Sequence, residues 1–438
     1  MSWFNQSEKW SLISDKLFCN LHMIKNMSKE FLFRTCVCSK IAKQNKFSKH
    51  MVKKYSALIL MLLLNSIYLF ATEPLKVILF TIDGLHWEAP QKLRMPILYS
   101  LIKEGTYIQE SYMIIPHHPT VGEYSENNSC SFPNPMLHEG TIFINHKKEM
   151  VQEKISANYQ TAFVVNTSAY RSVARGFTTT IMDSFLSDSQ VVDNAIEILK
   201  NQDIRFMRIH LQSPGTMGEA VALHSLDKPY SNNIWAKGSP YISAIENADK
   251  YLGRFISFLK ESNKWDNTVL IVTSDHGQSN NGWHPMLDEN SWKTPLLFVG
   301  KGIAKGQRLP YFEHIDIAPT ILWLLRIENQ TDRETEGEGK VIKKIKEVYM
   351  DSEYVHPQYI KKINEQIREY SILHAKLVIK ASSDNYIANI LASLENENLT
   401  PEPFYHQDRI LSWHKAGSID NLIKANEVIL SKMRKLLK

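Results

Sequence analysis

Thr268-Val269-Leu270-Ile271-Val272-Thr273-Ser274-Asp275-His276-Gly277 is an unbroken apolar run that ends in a carboxylate, an imidazole and a glycine. A strand apolar on both faces belongs inside a parallel sheet rather than on its surface. Open α/β sheets bind ligands beyond the carboxyl ends of their strands, which is where Asp275 and His276 fall. A carboxylate and an imidazole on one loop suit a divalent cation such as zinc. Taken alone, the pair reads more readily as an ordinary turn, so its reading depends on the rest of the chain.

Working outward, Leu75 to Ile82 is a second unbroken apolar run, ended by Asp83-Gly84. Asp83 at a strand end, with glycine for the turn, is a candidate cation ligand; the alternative is a helix N-cap. Strands are expected at Thr161–Asn166, Ile204–Leu211 and Thr294–Val299. Helices are expected at Pro96–Glu104, Ser189–Lys200, Tyr241–Lys260 and His314–Leu325, the third with apolar residues at helical spacing along one face. Strands alternating with helices predict an α/β fold, a central, mostly parallel sheet between helices. A polar stretch holding proline and glycine, 212–240, is read as a loop. Another long loop, 116–135, is rich in proline and histidine, and loops of that length in compact domains are usually functional or disordered. From about 328 the chain turns charged and helical, with Tyr359–Ala381 and Ile419–Leu437 the clearest segments.

The net charge of +5 over 438 residues misplaces the basic residues. Residues 1–72 hold 11 Lys and Arg against 3 Asp and Glu, leaving 40 basic and 43 acidic residues for the remainder. Charge therefore gives no case for nucleic-acid binding. Of four cysteines only Cys130 lies beyond the leader, so the body has no internal disulfide. Lys53 and Lys54 precede an apolar run, Ala57 to Phe70, followed by Ala71-Thr72-Glu73-Pro74. A short basic region, an apolar region and a small residue make a secretory signal peptide, and the run is short for a membrane span.

The division expected is 1–50 a misassigned or disordered leader with the true start at Met51, and 51–72 the signal peptide. It continues with 73–327 the catalytic domain and 328–438 a helical extension. Export to the periplasm or outside the cell follows. The alternative is a membrane anchor through residues 57–71, the leader then being the only membrane contact.

Taken together, several motifs resemble the alkaline phosphatase superfamily, in the branch of type I phosphodiesterases, nucleotide pyrophosphatases and sulfatase-like hydrolases. They are Ile82-Asp83-Gly84, Asp249-Lys250-Tyr251-Leu252-Gly253, Val272 to Gly277, Trp283-His284, Lys293 to Leu297, and His314-Ile315-Asp316-Ile317-Ala318-Pro319-Thr320. The resemblance covers residues 75–327 and implies one or two divalent metals, zinc first, flanking a Thr or Ser nucleophile. By matching, Asp83, Asp275 and His276 hold the first metal and His284 takes the position of a ligand to the second.

Two departures stand out. Where the family has Asp-x-x-x-His, this chain has Gly215-Thr216-Met217-Gly218-Glu219. Glu219 can still ligate, Gly215 cannot, and His224 or Asp227 could substitute. Where the family has Pro-Thr-x-Thr/Ser, Pro119-Thr120-Val121-Gly122 puts glycine at the attacking position. Thr120 is then the first nucleophile candidate, and Ser131, in Ser131-Phe132-Pro133-Asn134, the second. The function implied is an exported metal-dependent hydrolase of small-molecule phosphodiesters or related phosphate esters. The alternatives are a non-catalytic or single-metal binding descendant, or an envelope phosphoryl-group transferase. The Cys/Ser-x-Pro-x-Arg run of sulfatases proper is absent.

Overall fold

The computed structural model of the chain describes residues 74–114, 138–139, 142–143, 149–327, 339–346, 356–398 and 419–438. The leader and the 116–135 loop, with Thr120 and Ser131, lie outside the described residues.

Every residue of the first strand, β1 (Lys76–Ile82), is buried. An apolar run covered on both faces can only sit mid-sheet, and β1 does: β5 (Ile204–Leu211) and β6 (Thr268–Thr273) flank it, both parallel. The nine-stranded sheet continues outward on both sides. Beyond β5 lie β3 (Gln160–Val165) and β4 (Thr179–Met182), both parallel. Beyond β6 lies β7 (Lys293–Gly300), which pairs antiparallel with β6 and with β2 (Thr106–Tyr112). Two short strands, β8 (Gln307–Leu309) and β9 (Phe312–Glu313), pair parallel with β2 at the edge.

The sheet is mixed, mostly parallel, with helices on its faces, as the apolar runs imply. One face takes α1 (Pro96–Glu104), α3 (Asp188–Asn201) and α5 (Pro240–Glu261), whose buried residues join one core with those of β1 and β5. The other takes α2 (Val151–Ser156) and α6 (Ile317–Leu325). Local signals place the ends. Ser187 caps α3, its hydroxyl accepting from the Gln190 amide at 3.3 Å while the Gln190 side chain accepts from the Ser187 amide at 2.9 Å.

The 212–240 stretch is not all loop: α4 (Ser213–Leu223) forms directly after β5. Proline at its start suits a helix, but two glycines and two β-branched residues make the segment a poor helix former, and packing against α5 stabilises it instead. The strands β2, β4, β8 and β9 were not expected either, being short or polar on one face.

After residue 327 the described chain is helical: α7 (Tyr359–Ala381), α8 (Asn385–Asn398) and α9 (Ile419–Leu437). Their apolar faces share a core with Tyr112, Met113, Ile114, Trp292, Tyr311 and Ile315. Among the described residues no helix is long and apolar enough to cross a membrane.

Candidate metal centre

The carboxyl ends of β1, β5 and β6 bring together four ionisable side chains that are nearly or wholly buried: Asp83, His210, Asp275 and His276. Asp83 follows β1 and turns on Gly84, whose φ of 61° is the left-handed region that glycine tolerates. Ser274, after β6, holds the next loop against this turn. Its hydroxyl accepts from the Leu85 amide at 2.9 Å and lies 2.6 Å from the carbonyls of Ile82 and His276. Tyr241 of α5 adds a second tie, donating to the Gly84 carbonyl at 2.8 Å and accepting from the His86 amide at 2.9 Å.

His276 Nδ1 donates to its neighbour's carbonyl, Gly277 O, at 2.8 Å. That leaves Nε2 as a lone pair, and it faces Asp83 Oδ1 and Asp275 Oδ2, each at 3.4 Å. Asp275 Oδ1 accepts from the Gly84 amide at 3.2 Å, whereas Oδ2 accepts no hydrogen bond despite full burial. Burial first, then the facing Asp83 charge, push the Asp275 carboxyl above its ordinary range. Three lone pairs converging in a buried space are mutually repulsive unless a cation lies among them. Metal–ligand bonds of about 2.05 Å in tetrahedral geometry put ligand atoms roughly 3.3 Å apart, close to the separations from His276 Nε2. The donor set therefore fits one divalent cation.

His210 is the residue that the sequence reading missed. It points from β5 to Asp83, with Nε2 3.1 Å from Oδ2, and its ring packs on Tyr170 with centroids 5.1 Å apart. An ionisable residue inside an otherwise buried strand was the available signal. Gln278 had none. It is fully buried with neither amide atom hydrogen-bonded, and it lies against Gly84 and Gly218.

The second-metal element is where the structure departs furthest from the two-metal pattern. Gly215, in the first turn of α4, lies against the Asp83 carboxylate. A Cβ at 215 would sit 1.7 Å from Asp83 Oδ1 and 2.6 Å from its Cγ. The glycine is required by contact, and an aspartate cannot occupy this position with Asp83 where it stands. Glu219, one turn along α4, is half-buried and is not among the groups that converge with Asp83, Asp275 and His276; neither are His224 and Asp227.

His284 does reach the site, its ring centroid 4.2 Å from that of His276. The loop carrying it is strained: Gly282 and Trp283 both have positive φ, and for tryptophan, at 63°, this is an unfavourable backbone state. The Trp283 amide is held by the Gly218 carbonyl at 3.2 Å, and its ring stacks on His284 at 3.8 Å.

Lys293, at the start of β7, packs its ammonium over the Trp87 ring at 4.0 Å and lies 3.4 Å from Glu289. Asp249, from the Asp-Lys-Tyr-Leu-Gly motif, has a different task. Its carboxylate accepts the Ile97 and Leu98 amides at 3.0 and 2.8 Å, capping the start of α1 from α5.

Known proteins share parts of this chain's sequence and its fold. Residues 134–327 match the family model described as Sulfatase. A curated relative is the multifunctional alkaline phosphatase superfamily protein PehA of Trinickia caryophylli. It is 37% identical over 92 residues, 19% of this chain and 18% of that protein. Another is the choline-sulfatase of Rhizobium meliloti, 30% identical over 93 residues, 20% of this chain and 18% of that one. The matches thus span about a fifth of these relatives' length. The solved structure of BT4656 with D-glucosamine-2-N,6-O-disulfate superposes with a TM-score of 0.51 at 14% identity, covering 65% of this chain and 82% of that one; this likeness is one of fold. Residues 134–327 thus match the Sulfatase family model, and the fold, a mostly parallel sheet between helices, is alkaline-phosphatase-like.

Proposed function

We propose that the protein is an exported, one-cation hydrolase of small-molecule phosphodiesters and related phosphate esters. The observation that carries the reading is the convergence of Asp83, Asp275 and His276 combined with Gly215 packed on the Asp83 carboxylate. It favours one cation over two. Asp83, Asp275 and His276 would hold it; zinc is the first choice, although two carboxylates and one imidazole also admit harder divalent ions.

A bound divalent cation lowers the pKa of a neighbouring hydroxyl and offsets charge on the ester oxygens. This chain's residues do the rest. His210 fixes the Asp83 carboxylate, the kind of support that orients ligands from behind. His276 Nδ1, held by the Gly277 carbonyl, keeps Nε2 directed inward. In this reading His284, beside His276, would move a proton to or from a leaving oxygen rather than ligate a second ion. Thr120 is the first candidate nucleophile and Ser131 the second. Covalent attack would divide hydrolysis into two displacements.

Sulfate esters are the second reading, favoured by the sulfatase match over residues 134–327. The test is metal content, measured beside hydrolysis of bis-p-nitrophenyl phosphate, p-nitrophenyl phosphate and p-nitrophenyl sulfate, with Asp275→Ala as the control. Turnover of the diester that disappears in the variant supports the proposal. Turnover of the sulfate alone transfers it to the second reading, and no turnover of any ester by the metal-loaded protein leaves a binding protein.

A further inference from the structure

A second set of ionisable side chains lies near the sheet edge, where β9 pairs with β2. Glu313 ends β9, Asp316 lies in the turn that follows, and His356 stands just before α7. Glu313 and Asp316 are 2% and 3% exposed, and the His356 side chain 8%. One ligand atom from each lies within 4.8 Å of the others.

The hydrogen bonds leave one face of each group inward. Glu313 Oε1 accepts from the Ile360 amide at 2.9 Å and the Tyr311 hydroxyl at 3.0 Å. Asp316 Oδ1 accepts from the Lys340 amide at 2.7 Å. His356 Nδ1 faces the Pro357 carbonyl at 2.7 Å, turning Nε2 to Asp316 Oδ2 at 2.8 Å. All three side chains line a cavity of about 300 Å³, whose lining also includes Lys340, Lys343 and Lys344.

An ion pair between His356 and Asp316 satisfies one carboxylate only. Glu313, held by an amide and a hydroxyl, lies beside that pair. Two carboxylates and an imidazole, each held from behind and with an open fourth position toward a cavity, are the ligand set of a zinc-class ion. Placing the ion would widen the 2.8 Å contact to roughly 3.3 Å.

We propose that Glu313, Asp316 and His356 form a second divalent-cation site, separate from the Asp83–Asp275–His276 centre. Its ligands come from the sheet edge and from the segment leading into α7. The ion would tie the start of the C-terminal helices to β9.

The experiment uses the full chain, stripped with chelator and titrated with cobalt(II) and zinc. Asp275→Ala removes the first centre, so cobalt absorbance in that variant reports on Glu313, Asp316 and His356 alone. The band is expected in Asp275→Ala, and it is expected to vanish in Asp275→Ala/His356→Gln and in Asp275→Ala/Glu313→Gln. Zinc content of the parent chain is expected to fall from about two to about one per chain in His356→Gln. No band from folded Asp275→Ala, judged by its circular dichroism, overturns the proposal. So does a band unchanged in the two double variants. A band persisting in Asp275→Ala while the parent chain hydrolyses no ester would uphold this site and sink the proposed function alone.

Discussion

Gly215→Ala and Gly215→Asp should both break the first centre, although the second restores the family's own residue. The Cβ of either would start 1.7 Å from Asp83 Oδ1. Ordinary contact needs at least 3 Å or so, so the carboxylate must move by more than about 1 Å, and an error of that size in a reacting group can reduce rates about 100-fold. Moving a ligand should weaken cation binding at least as much as losing a supporting residue does, about 10- to 100-fold. Fold stability should respond differently. Alanine is favoured over glycine by about 0.8–1 kcal/mol inside a helix, so Gly215→Ala offsets part of the steric penalty and should melt near the parent. The assay is zinc affinity by chelator competition, diester turnover and a thermal melt on the same preparations. If Gly215→Asp binds a second ion, or if Gly215→Ala keeps parental affinity, the one-cation reading fails.

Three further outcomes are expected. His210→Gln should weaken zinc binding about 10- to 100-fold, because Asp83 Oδ2 loses the imidazole that orients it; unchanged affinity would make His210 a packing residue. Asp249→Ala should lower unfolding free energy in urea by about 1–2 kcal/mol through the two uncapped amides of α1, with zinc affinity unaltered, since the motif serves the helix and not the ion. Burial holds His86 and His314 neutral, each lowered to about 3. Unfolded histidine titrates near 6.5, so below that pH the unfolded chain binds more protons and the native state loses stability. Between pH 7 and pH 5 each should contribute a loss of roughly 2 kcal/mol, and His314→Asn should flatten that slope in urea titrations. A slope identical to the parent's would remove His314 from the account.

How far the sequence could be read follows from what each segment had to satisfy. β1, β5 and β6 were legible because a strand buried on both faces has little freedom beyond an apolar run, and Asp83, Asp275 and His276 follow such runs directly. β2 was not legible. Its Thr-Tyr-Ile-Gln-Glu-Ser-Tyr looks half exposed, yet Ser111 is buried because its hydroxyl meets Thr294 and His314. That partner set exists only once the sheet is built. The helix α4 was hidden for a related reason. Gly215 and Gly218 argue against a helix by propensity, and both are needed because their missing Cβ atoms make room for Asp83 and Gln278. A local rule is broken at the point where the centre required space. The same glycine that reads in the sequence as a missing ligand reads in the fold as a contact surface for the Asp83 carboxylate. Its replacement by aspartate in search of a second ion should therefore cost the first.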